Sequence, residues 1–319
     1  MTAKKYQSGV TLVELMVALA VGSFLMIGAV QVYNQSRQAF VINESIARVQ
    51  ETAQFAMDTV EADLRMASNW GMHSRGNAVE GRSLVGTPNP LALGSVPAGC
   101  GADWALDLGK PVEGDNNAYV LPCAATGGAQ ANSDTVTVRR ATVAVAPLEA
   151  GRLQIQSTRI AAEVFDNGNV PPAFLPASSQ THNLMVNSYY VSANSTLIPG
   201  VPTLRRMSLG AGGAITDQEV APGVENMQLQ LGVDTNQDNT VDRYVNPGDP
   251  IFDPLDVAFI PGARVMTARV WMVVRSLTRE VGIDDQTVYA PGDVNLGTPN
   301  DDFRRMQISK TILLRNSRT

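Results

Sequence analysis

Apolar residues are concentrated near one end of the chain. The stretch from Val10 to Val30 reads VTLVELMVALAVGSFLMIGAV, and Glu14 is its one charged residue. As a helix, about 21 residues rising 1.5 Å each would cover roughly 30 Å, the thickness of the hydrocarbon core of a bilayer. Lys4 and Lys5 precede this stretch and no acid does, so the positive-inside rule predicts that residues 1–9 stay in the cytoplasm and the remainder is exported.

The pattern becomes amphipathic after residue 30. Apolar side chains recur at spacings of three and four residues with charged side chains between them, as in a helix with one buried face. No proline precedes Pro88, so we predict one helix from about residue 10 to about residue 67. A coiled-coil stalk is the alternative structure for its second half. The apolar stripe consists of Ile42, Ile46, Val49, Ala53, Ala56, Val60 and Leu64.

Strand-like segments separated by turn residues follow a region, residues 68–133, that is rich in Gly, Pro, Asn and Ser. In two of these segments apolar residues alternate, which predicts a sheet with one face packed on a helix. The expected fold is therefore α+β, with the long helix packed on a mostly antiparallel sheet and a loop-rich insertion at about 75–180. The predicted strands are Asp134–Val145, Arg152–Arg159, Leu184–Ser192, Thr203–Leu209, Val224–Val233, Val265–Ser276 and Met306–Arg315.

The composition is that of a folded protein, with 44% hydrophobic and 17% charged residues. The formal net charge of −6 argues against nucleic acid as a partner, because phosphate binding needs a basic surface. One local basic cluster is present in the sequence, formed by Arg304, Arg305, Lys310, Arg315 and Arg318.

Catalytic motifs are absent from the sequence. It contains no nucleophile elbow, Walker loop, dinucleotide fingerprint or zinc-binding H-E-x-x-H. Its two histidines, His73 and His182, are flanked by polar, loop-like residues and are expected to be exposed. We therefore predict that the protein is not an enzyme, and that its paired acids are solvated loop residues: Asp253/Asp256, Asp284/Asp285 and Asp301/Asp302.

One acidic loop has the spacing of an EF-hand-type calcium site. Oxygen side chains at alternate positions of a tight loop can direct several ligands at one hard cation. Asn239 replaces the usual glycine and Val245 replaces the bidentate glutamate, so affinity for Ca²⁺ would be weak. The alternative is a turn closed by its own Asp and Asn hydrogen bonds. The candidate ligands are Asp234, Asn236, Asp238, Asp242 and the carbonyl of Thr240, and the sequence suggests no other cofactor.

The residues around the start of the apolar stretch resemble the class III signal of type IV prepilins. The segment Ser8–Glu14 reads SGVTLVE, which has the glycine, the Thr-Leu pair and the glutamate of that signal, although valine is less common after the glycine. The resemblance implies that a prepilin peptidase cuts between Gly9 and Val10 and that the new amino terminus is methylated. It also implies that Glu14 neutralises the amino terminus of a neighbouring subunit during filament assembly.

Four further segments look much like PilW-type minor pilins of type IV pili. The resemblance implies a subunit of the inner membrane, with its head in the periplasm, that joins other minor pilins and the major pilin on the inner-membrane assembly platform. It would help to initiate pilus assembly and stand at the tip, with roles in biogenesis, twitching motility or adhesion. The segments are Ser36–Ala67, Ala221–Val245, Ala268–Ser276 and Asp301–Asn316.

The same resemblance suggests how the chain is divided. Residues 1–9 would be the cleaved leader, 10–34 the transmembrane and filament-core helix, 35–67 the amphipathic helix, and 68–319 the periplasmic head. Two alternatives to a minor pilin remain: a minor pseudopilin of a type II secretion system, and a tip adhesin or DNA-uptake receptor.

The only two cysteines, Cys100 and Cys123, would both lie in the oxidising periplasm if the head is exported. A disulfide between them would close a loop of about 24 residues and contribute roughly 3 kcal/mol in the chain-entropy model. Two free thiols are the alternative. We expect the bond, if formed, to staple the irregular insertion.

Overall fold

The computed structural model describes residues 9–84, 91–280 and 282–317, so the leader lysines Lys4 and Lys5 lie outside the described residues. The chain divides into two compact units, and the boundary falls between Arg48 and Val49, inside one continuous helix. The sequence also predicts that the transmembrane part of the helix ends at residue 34 and that the amphipathic part ends at residue 67. These two boundaries stay predictions.

The described residues form two α-helices and twelve strands. The helices are α1 (Leu12–Met66) and α2 (Ala102–Leu106), and short 3-10 turns occur at Gly76–Ala78, Ala211–Gly213, Pro250–Phe252 and Arg315–Ser317. The strands are β1 (Val79–Glu80), β2 (Val112–Asp115), β3 (Thr135–Ala141), β4 (Ala150–Ser157), β5 (Ala162–Asn167), β6 (Gln180–Ser192), β7 (Thr203–Leu209), β8 (Ile215–Pro222), β9 (Val224–Asp234), β10 (Arg243–Val245), β11 (Arg264–Arg275) and β12 (Arg305–Leu313).

These elements confirm the α+β prediction. The predicted helix coincides with α1 to within two residues at each end, and each of the seven predicted strands corresponds to an observed one. The observed strands that the sequence did not predict are β1, β2, β5, β8 and β10.

The strands form two sheets. Sheet A contains β1, β5, β4, β6, β3 and β2 in that order, with β7 paired to β6 and β8 paired to β7. Sheet B contains β10, β9, β11 and β12 in that order, and all its pairs are antiparallel. In sheet A only the short β1–β5 pair is parallel.

The part of α1 from Val49 onward shares one hydrophobic core with both sheets. The alternation of apolar residues in β9 and β11 predicted that one face of the sheet packs on the helix, and this is confirmed. The alternating residues all face this core: Met227, Leu229, Leu231, Val270, Met272 and Val274. A second core includes residues of sheet A and of the loop-rich insertion, such as the buried Trp104, together with the buried Trp70 that follows α1. The insertion therefore contributes to the packed head.

Asp134 joins the two sheets at the start of β3. Its carboxylate is fully buried and accepts hydrogen bonds from the backbone N–H of Asn117 and of Leu229 in β9, each at 2.7 Å. Burial raises the pKa of Asp134 to about 7, and the negative charges of Asp293 and Asp115 act in the same direction. The connection between the sheets thus includes a polar contact as well as the shared core.

The expectation that His182 is exposed was wrong. It lies inside β6 with 3% of its surface exposed, and its Nδ1 lies 2.8 Å from the carbonyl oxygen of Thr142. The polar neighbours that suggested a loop in the sequence are paired within sheet A instead.

Candidate processing and assembly site

The residues of the predicted processing site stand immediately before α1. Gly9 and Val10 are exposed and non-helical, and the first helical residue is Leu12. The peptide bond that a prepilin peptidase would cut is therefore outside the helix. Cleavage between Gly9 and Val10 stays a prediction.

Thr11 and Glu14 form a reciprocal cap at the start of α1. The backbone N–H and the hydroxyl of Thr11 each donate to Oε2 of Glu14 at 2.9 Å, and the N–H of Glu14 approaches Oγ1 of Thr11 at 3.3 Å. This is the capping-box arrangement, in which two otherwise unpaired N–H groups at a helix start are satisfied. Glu14 therefore has a role within its own chain besides the intersubunit role that the resemblance implies.

The first part of α1 carries its apolar side chains on the outside. Its large apolar residues from Leu12 to Val32 are between 53% and 78% exposed. Among the described residues, α1 is the one helix long and apolar enough to cross a membrane. A helix that is apolar all round requires an apolar environment, either lipid or other helices.

The second part of α1 has one buried face, as the stripe predicted. Val49, Ala53, Ala56, Val60 and Leu64 are at most 4% exposed. The first two members of the predicted stripe behave differently, since Ile42 is 41% exposed and Ile46 is partly exposed. Burial therefore begins at Val49, which is where the second compact unit begins.

A buried carboxylate fixes α1 to sheet A. Asp63 is 5% exposed and accepts hydrogen bonds from Arg140 Nη2 at 2.8 Å, Asn187 Nδ2 at 2.6 Å and the hydroxyl of Tyr189 at 2.6 Å. Burial raises the pKa of Tyr189, and the adjacent Asp63 charge raises it further. A charge inside the core is tolerated because all its partners are in place.

A second acid, two residues before Asp63, connects α1 to sheet B. Glu61 forms ion pairs with Lys310 of β12 and with Arg65 of the same helix. The hydrogen bond from Lys310 to Glu61 raises the pKa of Lys310. Because Asp63 contacts one sheet and Glu61 the other, the helix is attached to both by charge as well as by apolar packing.

The acidic loop between β9 and β10 is closed by its own hydrogen bonds. Asp234 is fully buried and accepts from the backbone N–H of Gln237 at 2.6 Å and of Asn239 at 2.9 Å, and it pairs with Arg264 at 3.0 Å. Burial by itself raises the pKa of Asp234, but the hydrogen bonds from Asn239 and Arg264 outweigh it and hold the pKa below its ordinary value. Asn239 adopts the left-handed conformation, with φ of 68°.

The other loop carboxylates are also engaged. Asp242 accepts from the N–H of Thr235 at 2.7 Å, and Asp238 accepts from the N–H of Thr240 at 2.8 Å. In residues 9–84, 91–280 and 282–317 no group of three or more His, Cys, Asp or Glu side chains is arranged to hold a metal ion. Binding of Ca²⁺ here would require these side chains to exchange hydrogen bonds for the ion, and it stays a prediction.

Two family models match the chain at its two ends. Residues 4–30 match the prokaryotic N-terminal methylation motif, and residues 188–316 match the type IV pilus-assembly protein W family, PilW. At both ends, therefore, the chain is similar to PilW-type pilins of type IV pili. Pilins are structural proteins that assemble into the pilus. This similarity agrees with the prediction that the protein is not an enzyme.

A search of curated proteins gives no match. Among solved structures, the type IV-like pilin TTHA1219 from Thermus thermophilus is similar with a TM-score of 0.37 and 10% identity, covering 85% of this chain and 99% of the other.

The two matched ranges enclose the residues predicted for processing and assembly and most of the C-terminal strands. The first contains Gly9, Val10 and Glu14, and the second contains β7 to β12 with Lys310. A methylation motif followed by one long apolar helix fits a membrane-anchored pilin.

The disulfide lies outside both matched ranges. Cys100 and Cys123 are bonded, which confirms the predicted pairing. Cys100 is 1% exposed and immediately precedes Gly101 and α2, whereas the carbonyl of Cys123 accepts a hydrogen bond from the Tyr119 hydroxyl at 2.6 Å. The bond therefore fixes the insertion to the second core, as a staple would.

Two contributions to the site were missed in the sequence. The T-x-x-E spacing of Thr11 and Glu14 is a readable signal for a capping box. Asp63 gave no comparable signal, because an acid within an amphipathic stretch is usually solvated and its partners, Arg140 and Tyr189, are remote in sequence.

Proposed function

We propose that this PilW-type pilin is a minor subunit that helps to initiate assembly of type IV pili and is incorporated at the pilus tip. The observation that carries the proposal is the exposed apolar half of α1 with Glu14 at its capped start. Such a helix needs an environment that the described part of its own chain does not provide. The proposed partners are other minor pilins, the major pilin and the inner-membrane assembly platform.

Processing would come first. A prepilin peptidase would cut between Gly9 and Val10, and the new amino group on Val10 would be methylated. The intact mass of the purified mature protein should correspond to a chain that starts at Val10 and carries one methyl group. A mature chain that retains Met1, or one cut beyond Val30, would contradict this step.

Glu14 would then take part in subunit docking. A carboxylate in an apolar helix costs about 2.5–3.5 kcal/mol on insertion scales and therefore needs a partner. In the isolated chain the two donors of Thr11 supply that partner. In the filament, the ammonium group of a neighbouring subunit would form an ion pair in which both partners are charged, and this exchange would set the register of the entering subunit.

The proposed location is the inner membrane, with residues 10–34 crossing it and residues 68–319 in the periplasm, followed by the pilus tip at the cell surface. The disulfide supports an exported head, because disulfides persist in oxidising compartments. Contributions to twitching motility or adhesion would follow from this place in the pilus.

Deletion of the gene tests the proposal. We expect surface pili, counted by electron microscopy, to fall sharply while the major pilin remains in the membrane, and plasmid-borne wild-type protein to restore them. Normal piliation with loss of a type II secreted protein would instead identify a minor pseudopilin.

A further inference from the structure

Three arginines of β11 differ in what they contact. Arg264 pairs with Asp234 at 3.0 Å, and Arg275 pairs with Glu225 at 3.3 Å. Arg269 has no carboxylate within ion-pair distance among the residues that the structure describes, and its Nε donates to Oγ1 of Thr311 at 3.4 Å. Of these three arginines, Arg269 is therefore the one whose positive charge is not paired with a carboxylate.

Two aromatic rings hold this arginine in place. The guanidinium carbon of Arg269 lies 4.1 Å from the ring centroid of Tyr244 and 5.7 Å from that of Trp271. Cation–π contacts of this kind contribute about 0.5–1 kcal/mol at exposed sites. A guanidinium fixed by its flat faces keeps its N–H edges available and loses less freedom when it binds a carboxylate.

The residues beside Arg269 on its face of sheet B are uncharged. Side chains alternate along a strand, so Arg269 and Trp271 face away from the core that contains Val270 and Met272. Tyr244 is 37% exposed. The neighbouring positions on this face of sheet B contain no acid: Gln230, Thr267, Ser309 and Thr311 lie around Arg269, and the fully buried Gln228 lies beside Trp271. This surface, which we call the arginine–aromatic face, is a single positive charge among neutral groups in a protein of net charge −6.

We propose that the arginine–aromatic face binds an acidic loop of a co-assembling pilin subunit, whose carboxylate pairs with Arg269. Tyrosine, tryptophan and arginine are the residues that most often carry the binding energy of protein interfaces. The unpaired positive charge of Arg269 favours a negatively charged partner. A carboxylate can form two parallel hydrogen bonds with a guanidinium group. The inference rests on the proposed function, since it supplies a contact by which the minor pilins would recognise one another.

Binding of the full-length protein in detergent to each purified minor pilin and to the major pilin tests the proposal. We expect Arg269→Glu to weaken binding to at least one of them by tenfold or more, and to abolish most of its dependence on salt. Arg269→Lys should give an intermediate loss, because it keeps the charge but not the planar fork. Arg243→Glu is the matched control, since Arg243 is exposed on β10 beside Tyr244 but on the opposite face of the strand; it should bind within about twofold of wild type.

Each alternative result has a distinct meaning. If the wild-type protein binds a subunit and Arg269→Glu, with an unchanged melting temperature, binds it equally well, the face is wrong and the proposed function stands. If the wild-type protein binds no subunit, both fail. Self-association that disappears in Arg269→Glu would make a second copy the occupant and overturn the proposal. Should Arg269→Glu unfold, Arg269→Gln removes the charge without adding a buried acid and carries the same test.

Discussion

The two parts of α1 are one continuous helix with opposite relations to their surroundings. Before Arg48 the helix exposes large apolar side chains, and Glu44 pairs with Arg48 one turn along the same helix at 2.7 Å. From Val49 onward it buries a narrow stripe of small and medium residues and places Asp63 inside the core. Both parts are α-helical, and the pattern of their side chains differs.

The difference explains why a single helix can serve two environments. In the second part, the apolar stripe lies on one side of the helix, and the folded head covers that side. In the first part, apolar residues lie on all sides, so lipid or a bundle of identical helices has to surround it. Either apolar environment would cover the first part, so we expect it to exchange one for the other with little effect on the second. Mutations in the two parts should accordingly have separate effects, on assembly and on head stability.

The largest effect is expected for Asp63→Ala. Removing this carboxylate leaves Arg140 without its buried partner, and breaking a buried pair from one side typically costs about 3–5 kcal/mol. The melting temperature of the head should fall by roughly 10 °C, measured by circular dichroism. The control is Asp58→Ala, whose side chain is 63% exposed, and it should change stability by less than about 0.5 kcal/mol. Equal melting temperatures for both variants would contradict the buried tie.

Leucines in the two parts of α1 provide the second comparison. Leu64 is fully buried, so Leu64→Ala should cost about 2–5 kcal/mol of head stability through lost contacts and a cavity. Leu25 is 69% exposed, and Leu25→Ala should leave the unfolding of the head unchanged. Chemical denaturation in one detergent gives both values. A substantial loss for Leu25→Ala would mean that the first part of the helix contributes to the stability of the head.

The disulfide provides a third comparison between the head and the first part of α1, because both of its cysteines lie in the head. Replacing Cys100 and Cys123 by serine should cost about 3 kcal/mol of head stability in the chain-entropy model. The helical signal of the first part of α1 should survive when the head melts. Non-reducing peptide mapping of exported protein checks the bond itself, and two alkylatable thiols in the native protein would refute it.

The smallest effect is expected from Ca²⁺ at the loop with Asp234, Asn236, Asp238, Thr240 and Asp242. With affinity in the range of about 10⁻⁴–10⁻³ M, a tenfold excess of ion over the dissociation constant would add about 1.4 kcal/mol. The melting temperature should then rise by a few degrees in millimolar Ca²⁺ relative to chelator, and Asp238→Ala should remove the difference. Identical temperatures would leave a loop closed by its hydrogen bonds and Arg264 alone.

The sequence was most informative where a pattern extends over many residues. The periodicity of α1 and the alternation in β9 and β11 predicted those elements and the face each one buries. The strands it missed are short or polar: β2 reads VEGD, and β8 reads ITDQEVAP and is only partly buried. Such strands form because a neighbouring strand offers hydrogen bonds, and that neighbour is not visible locally.

The same distinction holds for the candidate site. Glu14 and Gly9 are recognisable because the whole signal is contiguous in sequence. By contrast, Asp63 acquires its role only when β3 and β6 bring Arg140 and Tyr189 to it, which depends on tertiary packing. His182 shows the same effect, since its polar neighbours indicate a loop until β4 pairs with them.

Glu14→Val provides the most direct test of the central claim, that the first part of α1 acts in assembly and not in folding. The variant should insert into the membrane as abundantly as wild type, because it removes a charge from an apolar helix. Surface pili should nevertheless fall strongly, because a neighbouring amino terminus loses its partner. The control is Glu44→Val, which removes an exposed acid paired with Arg48 in the same helix and should leave piliation unchanged. Wild-type numbers of pili in Glu14→Val cells, with wild-type membrane abundance, would contradict the account.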